Sequence, residues 1–243
     1  MKSLIFTAAF ATAIIGTAAH AEDHKPDNEF TYNAALTSDY RYRGISQSRL
    51  QPALSAGADY VNNPTGFYVG TWASTIKWTK DAGGRGNIEV DVYGGKRGEI
   101  VKDVSYDVGL LTYIYPSNAL DPNANTTEIY GQVGYGPGYA KYSYSLTNLF
   151  GAPDSKRSGY LDLGANIDIA TGLQLNLHVG HQNVRNNGDF SYTDYKVGLT
   201  KDFGIANLSA AVIGANNSNY VGPAPGLKNL GKTALVVAVS KTF

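Results

Sequence analysis

The end of the chain alternates between two kinds of side chain. One face of residues 234–243 carries Leu235, Val237, Val239, Lys241 and Phe243, and the other carries Ala234, Val236, Ala238, Ser240 and Thr242. Successive side chains of a β-strand point to opposite sides of the sheet, so this segment predicts a strand with one apolar face and one face of small or polar residues. Such a strand suits a wall that separates lipid from water or polar side chains.

The start of the chain has the three parts of a secretory signal peptide. Lys2 is followed by an apolar run from Leu4 to Ala19 and by the small-x-small pattern Ala19-His20-Ala21. We therefore predict cleavage after residue 21, which leaves residues 22–243 as one domain. The alternative, a retained membrane anchor, is disfavoured because the apolar run is short and rich in alanine.

The composition narrows the class of protein further. Beyond residue 21 no segment approaches the ~20 consecutive apolar residues of a spanning helix, so the mature chain is predicted to be either soluble or a closed barrel. The chain has no cysteine, which excludes a disulfide scaffold. Its formal net charge of zero argues against a nucleic-acid partner.

Period-two segments recur along the chain, separated by turn residues. We predict twelve strands, at residues 29–40, 51–62, 66–78, 87–96, 104–115, 127–136, 139–149, 158–170, 173–184, 191–202, 206–215 and 233–243. The connections alternate between long polar segments and tight turns, except that the tight class includes a longer connection around residues 97–103. The faces of segment 66–78 cannot be assigned from its pattern.

These observations predict an all-β protein, a closed antiparallel transmembrane β-barrel with long extracellular loops and short periplasmic turns. Aromatic residues near the predicted strand ends are typical of the two membrane interfaces. We place Tyr40, Tyr42, Trp78, Tyr115 and Phe150 at the outer interface, and Phe30, Tyr60, Tyr68, Tyr135, Tyr139 and Phe243 at the periplasmic one. The alternative is a soluble β-sandwich, whose strands are ordinarily shorter than these.

The polar face of the predicted strands is the candidate functional surface. Alternation sends eight carboxylates and a few basic side chains inward, and we predict the pore-lining set to be Arg41, Arg43, Asp59, Glu89, Asp91, Asp107, Glu128, Lys141, Asp162, Asp168, His178, Asp194 and Lys196. We expect the two arginines to lie near the mouth, at the outer end of the first strand. The excess of acids predicts a mild preference for cations. Alternatively, the acids and bases pair across a narrow interior and close it.

Three local patterns resemble sites of known chemistry. Residues 226–233 (GLKNLGKT) fit a phosphate-binding loop, but a β-branched strand follows where that loop needs a helix. Residues 121–125 open like a calcium loop and lack its glycine and closing glutamate. His178 and His181 lie three apart on one strand, so they face opposite sides and cannot share a metal ion. We therefore expect no cofactor and no metal site.

Residues 36–48 (LTSDYRYRGISQS) carry a resemblance to a known family. Together with residues 52–54 (PAL), 66–74 (GFYVGTWAS), 89–95 (EVDVYGG) and 113–116 (YIYP), they resemble the TorF-like porin family of proteobacterial outer-membrane proteins. The resemblance implies a barrel and a porin-like role, without a known substrate. Phe243 fits the terminal aromatic signal for the outer-membrane assembly machinery, whereas Lys241 departs from the aromatic or apolar residue usual two positions earlier.

The sequence therefore predicts a non-enzymatic channel in the bacterial outer membrane for passive diffusion of small hydrophilic solutes or ions. Its expected partners are outer-membrane lipid, the assembly machinery and the solutes themselves. Two alternatives stay open. One is a closed structural or adhesive barrel that binds a partner through its extracellular loops, and the other is a barrel-embedded lipid hydrolase that uses His178 with a serine.

Overall fold

A computed structural model describes residues 26–243 of the chain, and the predicted signal peptide at residues 1–21 lies outside them. The described part contains fourteen β-strands. They are β1 (Asn28–Thr37), β2 (Arg41–Tyr42), β3 (Ile45–Ser46), β4 (Ala53–Asn62), β5 (Phe67–Thr75), β6 (Ile88–Val101), β7 (Val104–Ile114), β8 (Thr126–Tyr135), β9 (Gly138–Ser145), β10 (Gly159–Ala170), β11 (Leu173–Asn183), β12 (Tyr192–Asp202), β13 (Asn207–Ala215) and β14 (Ala234–Thr242).

Twelve of these strands form a closed antiparallel barrel, and β2 and β3 form a separate two-stranded hairpin. The barrel closes because β1 pairs with both β4 and β14, so that Leu36 lies opposite Leu54 on one side and Val239 on the other. Closure leaves no unpaired strand edge, as lipid requires. The predicted fold class, a twelve-stranded antiparallel barrel, is confirmed.

The outer and inner faces of β14 are those that the alternation predicts. Leu235, Val237 and Val239 are exposed on the outer face, and Val236 is buried on the inner one. Exposed leucine, isoleucine and valine side chains continue this apolar outer face around the barrel. Lys241 points outward near the end of its strand, with its ammonium 5.2 Å from the centre of the Phe243 ring. A long basic side chain can reach the polar edge of the membrane from this position.

Two segments that the sequence pattern left unclear, residues 66–78 and 97–103, contain regular strands in the structure. β6 runs to Val101, and the register of its pairing with β7 shifts between Glu99 and Val101, so the connection to β7 is a tight turn at residues 102–103. The predicted longer connection at residues 97–103 was wrong. In β5, Tyr68 and Trp72 point inward and alternate with exposed Phe67 and Val69.

The six long connections lie at one end of the barrel, which we call the loop end, and the chain termini of the described part lie at the other. The first long connection, residues 38–52, contains the β2–β3 hairpin, and we call it L1; the last, residues 216–233, we call L6. A short helix, α1 (Trp78–Asp81), and one 3-10 turn (Gly188–Phe190) lie in two of the others. Among residues 26–243 there is no helix with the length and apolar character needed to cross a membrane.

Candidate functional site

The L1 hairpin folds into the barrel and does not extend away from it. Its two strands pair Arg41 with Ser46 and Tyr42 with Ile45, and these residues are buried or half-buried. Gly44, at the turn, has a φ of +79°, and a Cβ atom there would lie 2.5 Å from the Cβ of Asp194 on the barrel wall. Glycine is required at this point both for the left-handed backbone and for the close approach to β12.

Arg41 holds one side of the hairpin against the wall. Its Nε donates to Asp39 Oδ2 at 2.7 Å, and its Nη1 donates to the backbone carbonyls of Gly44, Ile213 and Lys232 at 2.8–3.2 Å. The guanidinium group therefore joins L1 to β13 and to L6. Hydrogen bonds from a charged donor are about twice as strong as neutral ones, so this contact fixes the hairpin firmly.

Arg43 reaches across the interior to the opposite wall. Its Nη2 and Nη1 donate to the two Glu128 carboxylate oxygens at 2.7 and 3.1 Å, and Nη1 also donates to Gln182 Oε1 at 2.6 Å. The guanidinium carbon lies 4.1 Å from the centre of the Tyr160 ring and 4.7 Å from that of Tyr42. Burial disfavours the charged guanidinium, but the Glu128 carboxylate, together with Tyr42 and Tyr113, outweighs this effect, so the pKa of Arg43 is raised.

The placement of L1 corrects two expectations. Strand β1 ends at Thr37, so Arg41 and Arg43 do not extend the first strand to the mouth but lie inside the barrel. The predicted outer aromatic belt is also wrong, because its members are buried or half-buried in the interior. They are Tyr40, Tyr42, Trp78, Tyr115 and Phe150. At the other end, Phe30, Tyr135 and Phe243 are exposed as predicted, whereas Tyr68 is buried inside.

The aromatic residues that were predicted at the outer interface instead fill the loop end of the interior, beside β6, β7 and β8. The hydroxyls of Tyr42 and Tyr113 are hydrogen-bonded at 2.6 Å, and their rings and that of Phe150 pack edge to face. Trp78 packs in the same way on Tyr115, with ring centres 4.8 Å apart. L1 and this aromatic cluster together narrow the barrel at the loop end.

His178 lies inside the barrel between two carboxylates. Its Nδ1 is 2.8 Å from Asp162 Oδ1 and its Nε2 is 2.7 Å from Asp194 Oδ2. Tyr160 donates to Asp194 Oδ1 at 2.9 Å, and its ring crosses the wall over Gly180, where any Cβ would overlap its hydroxyl. Both imidazole contacts are hydrogen bonds only if both nitrogens carry protons, so His178 fits the imidazolium form.

This arrangement bears on the hydrolase alternative. A base for a serine nucleophile needs one free ring nitrogen within hydrogen-bond reach of the hydroxyl. Both ring nitrogens of His178 contact carboxylates instead. His181, three residues along, is exposed on the outer face and contacts Thr193 at 3.0 Å, so the two histidines do face opposite sides. Residues 26–243 contain no group of three or more His, Cys, Asp or Glu side chains that could hold a metal ion.

A cavity of about 130 Å³ lies between L1 and the β9–β13 side of the wall. We call it the chamber. Five basic and two acidic side chains line it: Arg41, Arg43, Lys141, His178 and Lys196, with Asp162 and Asp194. The hydroxyls of Tyr139, Tyr160 and Ser143 also face this part of the interior.

The remaining predicted residues lie on the inner face outside the chamber. Tyr hydroxyls donate to three of these carboxylates: Tyr93 to Asp59 at 2.6 Å, Tyr68 to Asp107 at 2.6 Å and Tyr40 to Glu89 at 2.8 Å. Asp91 is buried beside Glu89 and has no hydrogen bond to its Oδ1 among the described residues. Asp168 lies near the terminus end, is exposed, and accepts a hydrogen bond from Gln174 at 3.1 Å.

The sequence did not predict the inward tyrosines that contact the charged side chains of the inner wall. Tyr68, Tyr130 and Tyr160 point inward, and Lys141 Nζ lies 4.1 Å from the centre of the Tyr130 ring. The amphipathic character of tyrosine favours the membrane interface, where Tyr68 is predicted to lie. The strand phase was the available signal for Tyr130 and Tyr160, which fall on the same alternation faces as Glu128 and Asp162. Strand β5 contains no carboxylate that could have set the face of Tyr68 in the same way.

Comparison with family models matches residues 20–243 to the family Gcw_chp, described as a bacterial protein of unknown function. The chain belongs to the Gcw_chp family. The match covers nearly all of the sequence and confirms a bacterial family, but it does not confirm the TorF-like name. No curated protein matches the chain.

Solved structures resemble the Gcw_chp chain in fold. The KdgM porin aligns with a TM-score of 0.54 at 6% identity, over 88% of this chain and 97% of the other. A structure from work on the in-meso crystallization of membrane proteins aligns with a TM-score of 0.52 at 7% identity, over 88% and 83% of the two chains. At such low identity the likeness shows a shared barrel architecture.

Proposed function

We propose that this protein is a porin-like channel of the bacterial outer membrane, through which small hydrophilic solutes or ions diffuse passively. The observation that carries this proposal is the chamber, a space of about 130 Å³ lined by charged side chains inside a closed barrel whose outer face is apolar. A barrel interior closed to water would be destabilised by so many charged side chains, because burying ions is unfavourable unless they are paired or hydrated. A water-filled route for solutes would hydrate them. The fold shared with the KdgM porin supports the proposal.

The proposed location follows from the outer face and the sequence ends. Membrane lipid would contact the apolar outer belt, and the six long connections would face the cell exterior, as in outer-membrane barrels. The signal peptide at residues 1–21 would export the chain, and Phe243 would serve as the assembly signal. The predicted pore-lining residues would form the inner wall of the route, with Arg41 and Arg43 placed by L1 at its narrowest part.

The chain's own residues suffice for the proposed mechanism. A solute entering at the loop end would pass L1, exchange hydration for contacts with the charged inner wall, and leave at the terminus end. No chemical step and no cofactor is required. We propose no enzymatic activity, because His178, the one base considered for hydrolysis, has both ring nitrogens against carboxylates.

Single-channel conductance of the refolded protein in a planar bilayer tests the channel. Folding is checked first by the shift in gel mobility between unheated and boiled samples. Discrete, reproducible current steps are the expected result. A silent bilayer from folded protein would overturn the proposal and favour the closed barrel whose extracellular loops bind a partner, since L1 and the aromatic cluster would then seal the loop end.

The excess of inward acids over inward bases predicts a mild cation preference. Eight carboxylates and four arginine or lysine side chains are in the predicted inner set, and acidic walls favour cations. Under a potassium chloride gradient we expect the reversal potential to be shifted from zero towards the equilibrium potential of potassium. The preference should shrink at ~1 M salt, where the screening length falls to about 3 Å. Reversal on the chloride side would contradict this prediction.

A further inference from the structure

The charge lining the chamber is opposite in sign to that of the inner wall as a whole. Five basic side chains but only two carboxylates line it. Both carboxylates already contact the two nitrogens of His178. Arg41 and Arg43 are held by carboxylates from outside the chamber lining, Asp39 and Glu128.

Besides Arg41 Nη2, which is buried without a hydrogen-bond partner among the described residues, Lys196 is a chamber cation that lacks a hydrogen-bond acceptor there. Within residues 26–243 its ammonium group makes no hydrogen bond and no ion pair within 4.0 Å. Asp162 and Asp194 attract it from a greater distance. An ammonium group in such a setting requires oxygen acceptors, and these must come from whatever occupies the chamber.

The crowding of like charges indicates what kind of occupant fits. Arg43, Lys141 and Lys196 line one small cavity, and their mutual repulsion is only weakly screened inside a protein. Water would supply acceptors to Lys196 but would leave this repulsion in place. An oxyanion would do both, and a cavity of about 130 Å³ is well above the ~10–15 Å³ that a single water needs on the same measure, so a small oxyanion fits.

We propose that the chamber binds a small oxyanion, a carboxylate or a phosphate, and that Lys196 is a principal contact. This inference rests on the proposed channel only for the route by which the anion arrives. It adds a local binding site for anions to a wall whose overall charge favours cations. The site would retain an anionic solute on its way through the barrel.

Isothermal titration calorimetry of the folded protein in detergent micelles tests the site without needing an open pore. Inorganic phosphate and acetate are titrated separately at low salt, which shows which of the two oxyanions binds. We expect saturable binding of at least one. Lys196→Met should weaken it about tenfold or more, the loss of one charge-assisted contact, whereas Lys196→Arg should retain most of it.

Lys156→Met, at an exposed position in the connection between β9 and β10, is the matched control and should leave binding unchanged. The inference is overturned if neither anion binds, if Lys196→Met binds as the unaltered protein does, or if Lys196→Arg loses binding as fully as Lys196→Met. If the protein conducts but binds neither anion, the proposed anion site is wrong and the proposed channel stands. If the folded protein binds an anion but gives no current in the bilayer, the proposed anion site stands and the proposed channel is wrong.

Discussion

Removing the tip of L1 should raise the single-channel conductance several-fold. Residues 41–46 form the part of the hairpin that crosses the interior, from the Arg41 contacts on β13 and L6 to the Arg43 contact with Glu128 on β8. Because this segment crosses the interior from one wall to the other, we expect it to be the constriction of the proposed route, and its removal should widen the path where the resistance is largest. The same change removes two inward positive charges and should strengthen the cation preference.

The structure indicates how to make this deletion without disturbing the barrel. Gln47 donates its backbone N–H to the Tyr40 carbonyl at 2.7 Å, so two glycines in place of residues 41–46 can close the chain between these neighbours. A matched control lies in L6, where Gly222 donates to the Lys228 carbonyl at 2.9 Å and residues 223–227 are exposed. Replacing those five residues by two glycines should leave the conductance unchanged.

An unchanged conductance in the L1 variant would contradict the assignment of L1 as the constriction. It would move the narrowest point to the inner tyrosines, such as Tyr68 and Tyr130, nearer the terminus end. An equal rise in both variants would show that loop removal in general, and not the hairpin inside the barrel, controls the current. Gel mobility before and after heating confirms that each variant is folded.

The barrel could be predicted from the sequence because its strands obey one local rule. Side-chain alternation has a period of two, so each strand reports its own inner and outer face without knowledge of its neighbours. The rule assigned Asp162 inward and Leu161 outward in β10, as the structure shows. It failed for β5, where Tyr68 and Trp72 on the inner face are as apolar in character as Val69 on the outer one.

The position of L1 could not be predicted, because no local rule governs it. Arg41 contacts the carbonyl of Lys232, which is 191 positions away, and Arg43 contacts Glu128, which is 85 positions away. The sequence places these arginines after the first strand and next to polar residues, which is equally typical of an exposed loop. The same limit explains the aromatic error, since Trp78 and Phe150 become interior residues only through contacts between separate loops.

The ion pair between Arg43 and Glu128 should be strongly coupled in a double-mutant cycle. Both side chains are nearly fully buried, at 7% and 3% exposure, and removing one partner of a buried pair leaves an uncompensated charge at a cost of about 3–5 kcal/mol. Glu128→Gln and Arg43→Met should therefore each lower the free energy of unfolding substantially. The double variant leaves no buried charge from this pair, so it should be less destabilised than the sum of the single variants.

Urea unfolding in detergent micelles, followed by tryptophan fluorescence, measures this cycle, and Trp78 reports from the loop end beside L1. The matched control is the pair Arg49–Asp81, whose arginine is 36% exposed, so the cycle of Arg49→Met and Asp81→Asn should give a coupling of about 1 kcal/mol or less. Effects of Arg43→Met and Glu128→Gln that add to within about 0.5 kcal/mol would contradict the prediction. Additivity would mean that each side chain contributes to stability independently of the other, so that the ion pair itself adds little to the free energy of unfolding.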